Sequence, residues 1–233
     1  MQEHSQSSSV KIPESHIPTS KRVLIVTAVD AEKDAVRRGL CDTPGFDVIA
    51  GGVGPAATAA STARHLIQGS YDLVVSAGIA GGFAGQAEIG SIVIANSIIA
   101  ADLGSETEAG FSSVEELGFG NARFSVDIAT ARKLAAAIKD AGSDVTMGPV
   151  LTVSTTTGTA DTAQRLLHRV PDAAAEAMEG FGVATAAAAA SLPVLEIRTI
   201  SNQVGPRDRS AWKIKEALQA LETASSLLPE VLR

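Results

Sequence analysis

The sequence predicts a single α/β domain built around a central sheet. Short apolar runs of strand length alternate with segments of helical spacing between residues 21 and 233. No linker-like stretch interrupts that alternation. A chain of 233 residues with 45% apolar content has the size and composition for one large domain with a substantial core.

Each element follows from its local pattern. "RVLIVTAV" (22–29) is continuously apolar, as expected of a strand buried on both faces. "DAEKDAVRRGL" (30–40) has helical spacing, and "FDVIAGGVG" (46–54) is a second strand ending in glycines. "PAATAASTARHLIQ" (55–68) is a helix with Pro55 in its first turn, where the missing N–H costs nothing. "DLVVSAGIAGG" (72–82) and "IGSIVIANSII" (89–99) are the third and fourth strands. "SVDIATARKLAAAIKDAG" (125–142) is a helix closed by Gly142, and "GPVLTVSTT" (148–156) is a strand. "ADTAQRLLHRV" (160–170) and "DAAAEAMEGFGVATAAAAA" (172–190) read as helices, and "PVLEIRTIS" (193–201) as the last strand. "AWKIKEALQALETASSLL" (211–228) places Ile214, Leu218, Leu221 and Leu228 near one face of a final helix.

Residues 1–20 are polar, Ser-rich and hold two prolines, without the apolar core of a secretory leader, and so read as a disordered tail. The domain is therefore assigned to 21–233. The Ala-rich stretch before Pro193 is broken by Ser191 and reads as a helix followed by a strand, not as a membrane span. A net charge of -7 with scattered Lys and Arg argues against a nucleic-acid partner or an anionic membrane surface. An aromatic content of 3% argues against stacking surfaces for single strands. One cysteine, Cys41, forms no internal disulfide, and the scattered histidines give no metal-ligand spacing. A cytoplasmic protein without metal or organic cofactor is expected.

In open α/β sheets, sites form where strands end. "GVGPAA" (52–57) formally matches the dinucleotide fingerprint, but it follows the second strand, Pro55 removes a cradling N–H, and no acid closes the next strand. It reads as a tight turn or as an anion or hydroxyl site at a helix start. "AGIAGGFAG" (77–85) either admits a ligand close to its backbone or bends the chain in a crowded core. Glu32, just past the first strand, serves the helix dipole or a ligand. Glu179, inside an otherwise apolar helix, faces solvent or needs a partner. Asn202, after the last strand, bonds its own backbone or a ligand.

Together these pieces resemble the nucleoside phosphorylase and nucleosidase superfamily. The carriers are "TAVDAE" (27–32), "SAGIAGG" (76–82), "AMEG" (177–180) and "IRTISNQVGPRD" (197–208), in this order and spacing. The nearest branches are the methylthioadenosine/S-adenosylhomocysteine nucleosidases and, closer still, the futalosine hydrolases. The resemblance implies a three-layer α/β/α domain with a central mixed, twisted sheet, a small purine nucleoside as substrate, and a homodimer or larger homo-oligomer. It implies that Glu32 deprotonates the attacking water, that Met178 lies under the ribose, and that Glu179 grips the ribose hydroxyls. Gly78 belongs to the glycine turn that lines the substrate. Thr156 and Thr157 fall near a segment where relatives pack an aromatic side chain on the base; no aromatic stands there in this chain. The acidic loop 103–119 is expected to close over the 5′ substituent.

Asn202 stands where the adenine-specific nucleosidases carry an aspartate. A protonated aspartate donates to N7 and accepts from a 6-amino group. A 6-oxopurine presents two acceptors on that edge, O6 and N7. An amide NH₂ suits them, whereas a carboxylate leaves a buried acceptor unpaired at a cost of about 1–3 kcal/mol. The expected base is therefore hypoxanthine-like, and the expected activity is hydrolysis of futalosine, in menaquinone biosynthesis. The rivals are a purine nucleoside phosphorylase, a methylthioadenosine nucleosidase and a non-catalytic nucleoside-binding protein. A phosphorylase needs positive charge for phosphate. The glycine turns 51–54 and 77–82 hold none, which leaves Arg198, Arg207 and Arg209 as the candidates.

Overall fold

The computed structural model describes residues 21–108 and 110–233. The tail expected at 1–20 lies outside the described residues. In chain order the elements are β1 (Val23–Thr27), α1 (Asp30–Leu40), β2 (Phe46–Ala50), α2 (Pro55–Gln68), β3 (Leu73–Gly82) and β4 (Ile92–Ala100). Next come β5 (Gly104–Thr107), β6 (Gly110–Ser113), β7 (Arg123–Ser125), α3 (Ile128–Asp140), β8 (Val145–Thr152) and α4 (Ala160–Arg169). The chain closes with β9 (Ala175–Ala177), α5 (Gly180–Ala189), β10 (Val194–Gln203), α6 (Ile214–Ser226) and α7 (Leu228–Val231).

The sheet is mixed, in the order β10-β4-β8-β9-β3-β1-β2, with β7 on β4 and a further pairing of β10 with β3. That last pairing is the feature that shapes the site. β10 bonds both β3 and β4, while β9 bridges β3 and β8, so five strands close on themselves. β1 and β3 are buried along nearly their whole length, as their apolar runs require. Helices α1 and α6 pack on each other, as do α2 and α5, and both α5 and α6 pack against β3, β4 and β10. Among the described residues no helix is long and apolar enough to cross a membrane.

Four expectations are corrected. Residues 172–190 do not form one helix. Ala175–Ala177 is a strand bonded to both β3 and β8, and α5 starts only at Gly180. Pairing on both edges here overrides the helix propensity of alanine. The acidic stretch 103–119 is not a bare loop, since β5 and β6 pair antiparallel within it. The strand expected at 148–156 runs instead from Val145 to Thr152, and Pro149 within it sits opposite a register shift in β4 between Ala95 and Ser97. In α6, Leu221 is buried, but Ile214 in the first turn is exposed.

Candidate active site

Glu32, in the first turn of α1, is buried. Its Oε2 accepts the backbone N–H groups of Ala28 (2.9 Å) and Val29 (3.2 Å), so it does cap its own helix. Its Oε1 reaches across to accept the N–H of Ile79 at 2.9 Å. That N–H is free because β1 pairs β3 only as far as Ser76 and β9 takes over at Gly81. Glu32 fills the gap in the edge of β3. Burial pushes its carboxyl above the usual range; the Ile79 N–H and Arg198 pull it down, and Glu179 raises it further.

Arg198, on β10, is 1% exposed and organises the carboxylates. Its Nε donates to Glu196 Oε1 (2.8 Å), one terminal nitrogen donates to Glu179 Oε2 (3.3 Å), and the other donates to Ser76 Oγ (3.0 Å). Burial works against its charge, but Glu196, Glu179 and Glu32 outweigh it and raise its pKa. Gly78 pairs with Arg198 in register and leaves room for the group. A Cβ there would lie 2.6 Å from Glu32 Oε1 and 2.9 Å from the Arg198 terminal nitrogen.

Glu179 is buried, but it precedes α5 rather than lying within it. Its Oε1 accepts the N–H of Gly54 at 3.3 Å, and its Oε2 accepts that of Met178 at 3.3 Å. Gly54 is the N-cap of α2, with φ +90 and Pro55 next. The helix start that matched the dinucleotide fingerprint thus holds the protein's own carboxylate. Met178 is half-buried beside it. Glu196 lies behind, fully buried, and burial raises its pKa against the pull of Arg198. Its second oxygen has no hydrogen-bond partner among the described residues. Gly180 packs directly on this carboxylate. Gly180→Ala is expected to cost about 1–3 kcal/mol of stability by overpacking, read as a lower denaturant midpoint at unchanged m-value. An unchanged midpoint would mean that Glu196 can move aside.

Further along β3 lies a cavity of about 260 Å³ whose lining includes Gly81, Ile89, Thr157, Glu176, Asn202 and Trp212. Asn202 is not a turn residue. β10 continues to Gln203, and a register shift between Ile200 and Asn202 pairs Asn202 with Gly81. Its Oδ1 accepts from Ser201 Oγ (2.8 Å), and its Nδ2 donates to the Gln203 carbonyl (3.0 Å), which leaves one N–H for another acceptor. Thr156 also lines the cavity and accepts from Arg207 at 3.3 Å.

The structure thus gathers Glu32, Gly78 and Glu179 around Arg198, and Thr156, Thr157 and Asn202 around the cavity. Sequence reasoning missed three members. The sequence pattern offers Arg198 only as a phosphate contact. It puts Glu176 in a helix. It puts Trp212, which supplies the cavity with an aromatic group, on the final helix. The alternation Glu196–Arg198 on a strand, with both side chains on one face, was the available signal for the buried pair.

Known proteins share this arrangement of strands and helices. The family model described as Phosphorylase superfamily matches residues 25–233. Futalosine hydrolase from Streptomyces coelicolor is 50% identical over 230 residues, covering 90% of this chain and 96% of that protein. Futalosine hydrolase from Acidothermus cellulolyticus is 43% identical, covering 90% and 91%. Among solved structures, the 5′-methylthioadenosine/S-adenosylhomocysteine nucleosidase of Neisseria meningitidis, in complex with methylthio-immucillin-A, superposes with TM-score 0.76 at 18% identity, covering 91% of this chain and 98% of that one. The Helicobacter pylori nucleosidase, with butyl-thio-DADMe-Immucillin-A, superposes with TM-score 0.78 at 14% identity, covering 91% and 98%. At such identities these structures speak for the fold, whereas the curated relatives and the family match extend over nearly the whole domain. The chain belongs to the phosphorylase superfamily and, within it, to the futalosine hydrolases.

Proposed function

We propose that the chain hydrolyses the N-glycosidic bond of futalosine, releasing hypoxanthine and dehypoxanthine futalosine. The observation that carries this reading is the buried group of Glu32, Glu179 and Arg198 at Gly78 of β3, three residues before Gly81, where the cavity that Asn202 lines begins. Glu32 orients a water and takes its proton as the oxygen attacks the anomeric carbon. The C–N bond breaks, and its electron pair leaves with the purine, which Asn202 meets with an N–H as charge develops. Glu179 holds the ribose hydroxyls over Met178, with Gly78 leaving room beside the sugar, and Thr156 and Thr157 border the base. Even with Glu196 protonated, two carboxylates face one guanidinium. The surplus negative charge suits an oxocarbenium-like sugar.

Water rather than phosphate as nucleophile is favoured by Arg198. Three of its five N–H groups, one on each nitrogen, are engaged by Glu196, Glu179 and Ser76. The start of α2 is likewise taken by Glu179. The reading includes a place in menaquinone biosynthesis by the futalosine route, a cytoplasmic location, no cofactor, and a homodimer or larger homo-oligomer in which 103–119 covers the 5′ substituent. Its test is chromatographic detection of free base from futalosine, inosine and methylthioadenosine, each with and without phosphate. Hypoxanthine from futalosine without phosphate is expected. Strict phosphate dependence, or preferential release of adenine from methylthioadenosine, would overturn it.

A further inference from the structure

Glu176 is a buried carboxylate on the cavity wall that the hydrolytic mechanism does not use. Its place follows from strand register. Asn202 of β10 and Glu176 of β9 both pair with Gly81 of β3. Residues paired across adjacent strands face the same side of a sheet. Gly81, between them, has no side chain. A Cβ there would lie 2.9 Å from Val204 Cγ2 and 3.3 Å from Asn202 Nδ2. Two strand spacings separate the flanking backbones by about 10 Å. The result is a slot floored by glycine, with an amide on one side and a carboxylate on the other.

The carboxylate is held in place. Its Oε1 accepts the backbone N–H of Thr157 at 2.8 Å, and its Oε2 accepts the Thr157 hydroxyl at 2.5 Å. Among the described residues it has no ion-pair partner. Burial pushes its pKa up, against the two Thr157 bonds. Each carboxylate oxygen has a second lone pair, so acceptor capacity remains toward the slot. A buried acceptor without a cation calls for a neutral donor. The ring N1–H of a 6-oxopurine is one. The N1 of a 6-aminopurine carries a lone pair and would oppose it.

We propose that Glu176 accepts the N1–H of the purine, so that Glu176 and Asn202 from opposite sides of Gly81 together select a 6-oxopurine. This rests on the hydrolase reading for its substrate and deepens it. Asn202, with the one N–H that Gln203 leaves it, tests for an acceptor on the O6 and N7 edge, and Glu176 tests N1. Each site discriminates by about ten- to a hundred-fold, the usual effect of a mismatched buried polar pair.

The test uses the full chain, as wild type and as Glu176→Gln, with two readouts. The first is kcat/KM for futalosine against its 6-amino counterpart. The second is Kd for free hypoxanthine against 1-methylhypoxanthine, which lacks the N1–H. Wild type is expected to favour futalosine, and to bind hypoxanthine at least ten-fold more tightly than the methylated base. In Glu176→Gln the preference for futalosine over its 6-amino counterpart is expected to shrink about ten- to a hundred-fold, because an amide can donate to an unprotonated N1; 1-methylhypoxanthine, whose N1 is no acceptor, tests the wild type alone. Equal losses on both substrates would show that Glu176 only anchors Thr157, and would overturn the proposal. So would wild-type indifference to N1 methylation, a comparison that needs no variant to fold. If wild type binds hypoxanthine selectively but leaves futalosine intact, the hydrolase reading fails while the N1 contact stands.

Discussion

Glu32→Gln is expected to lower kcat on futalosine about 10²–10⁴-fold, the usual contribution of a positioned general base, while the protein stays folded. The fold tolerates the change because two effects oppose each other. The amide turns one acceptor into a donor facing the Ile79 N–H or the Ala28 and Val29 N–H groups, at a cost of about 1–3 kcal/mol. It also removes a charge from a buried position. The pH dependence gives the sharper signature. Burial raises the carboxyl of Glu32, so its ionised form prevails only at a pH above that of an ordinary glutamate. The acid limb of kcat/KM in the wild type should lie correspondingly high, and it should vanish in the residual activity of Glu32→Gln. The sign for stability is opposite to that for activity. With a folded-state pKa above the unfolded one, Glu32 contributes stability in full below its unfolded pKa, and that contribution is lost as pH rises through the folded pKa. Wild type should therefore lose stability relative to Glu32→Gln on going from acid to neutral pH. Retention of most activity by the variant would refute the role given to Glu32. An effect on nucleoside affinity alone would point to a binding protein.

Arg198→Met is expected to cost about 3–5 kcal/mol of stability, enough to threaten folding of a domain whose total is typically about 5–15 kcal/mol. The replacement has similar volume and no charge. It leaves Glu196 and Glu179 without their guanidinium and Ser76 without its donor. Such a loss reflects the uncompensated buried carboxylates more than any intrinsic value of the pair. Arg198→Lys keeps the charge but has no planar fork to reach all three partners, and should fall between wild type and Arg198→Met. Urea midpoints for the three proteins measure this. A loss below about 1 kcal/mol for Arg198→Met would mean that the carboxylates take up protons or water at little cost.

Helix α1, helix α2 and the buried strands β1 and β3 were legible because local pattern suffices for them. An apolar run of strand length can only be buried, and Pro55 marks a helix start whatever surrounds it. Glu32, Gly78, Glu179 and Asn202 were legible as candidates because chemistry-bearing residues stand where strands end. What the sequence could not carry were the properties that depend on partners far along the chain. Glu176 sits on a strand among alanines because β3 and β8 offer it two edges, and no local preference encodes that. Arg198 is committed to Glu196, Glu179 and Ser76, a choice visible only once β10 lies beside β3. Asn202 faces the cavity because the strand slips by one residue at Ser201, and in a pleated strand one residue decides the face. By itself the sequence determined the layered α/β domain and the kinds of side chain at its strand ends, through periodicity and composition. Only the tertiary structure decided which of them share one buried field, because burial, register and charge pairing are properties of the closed sheet.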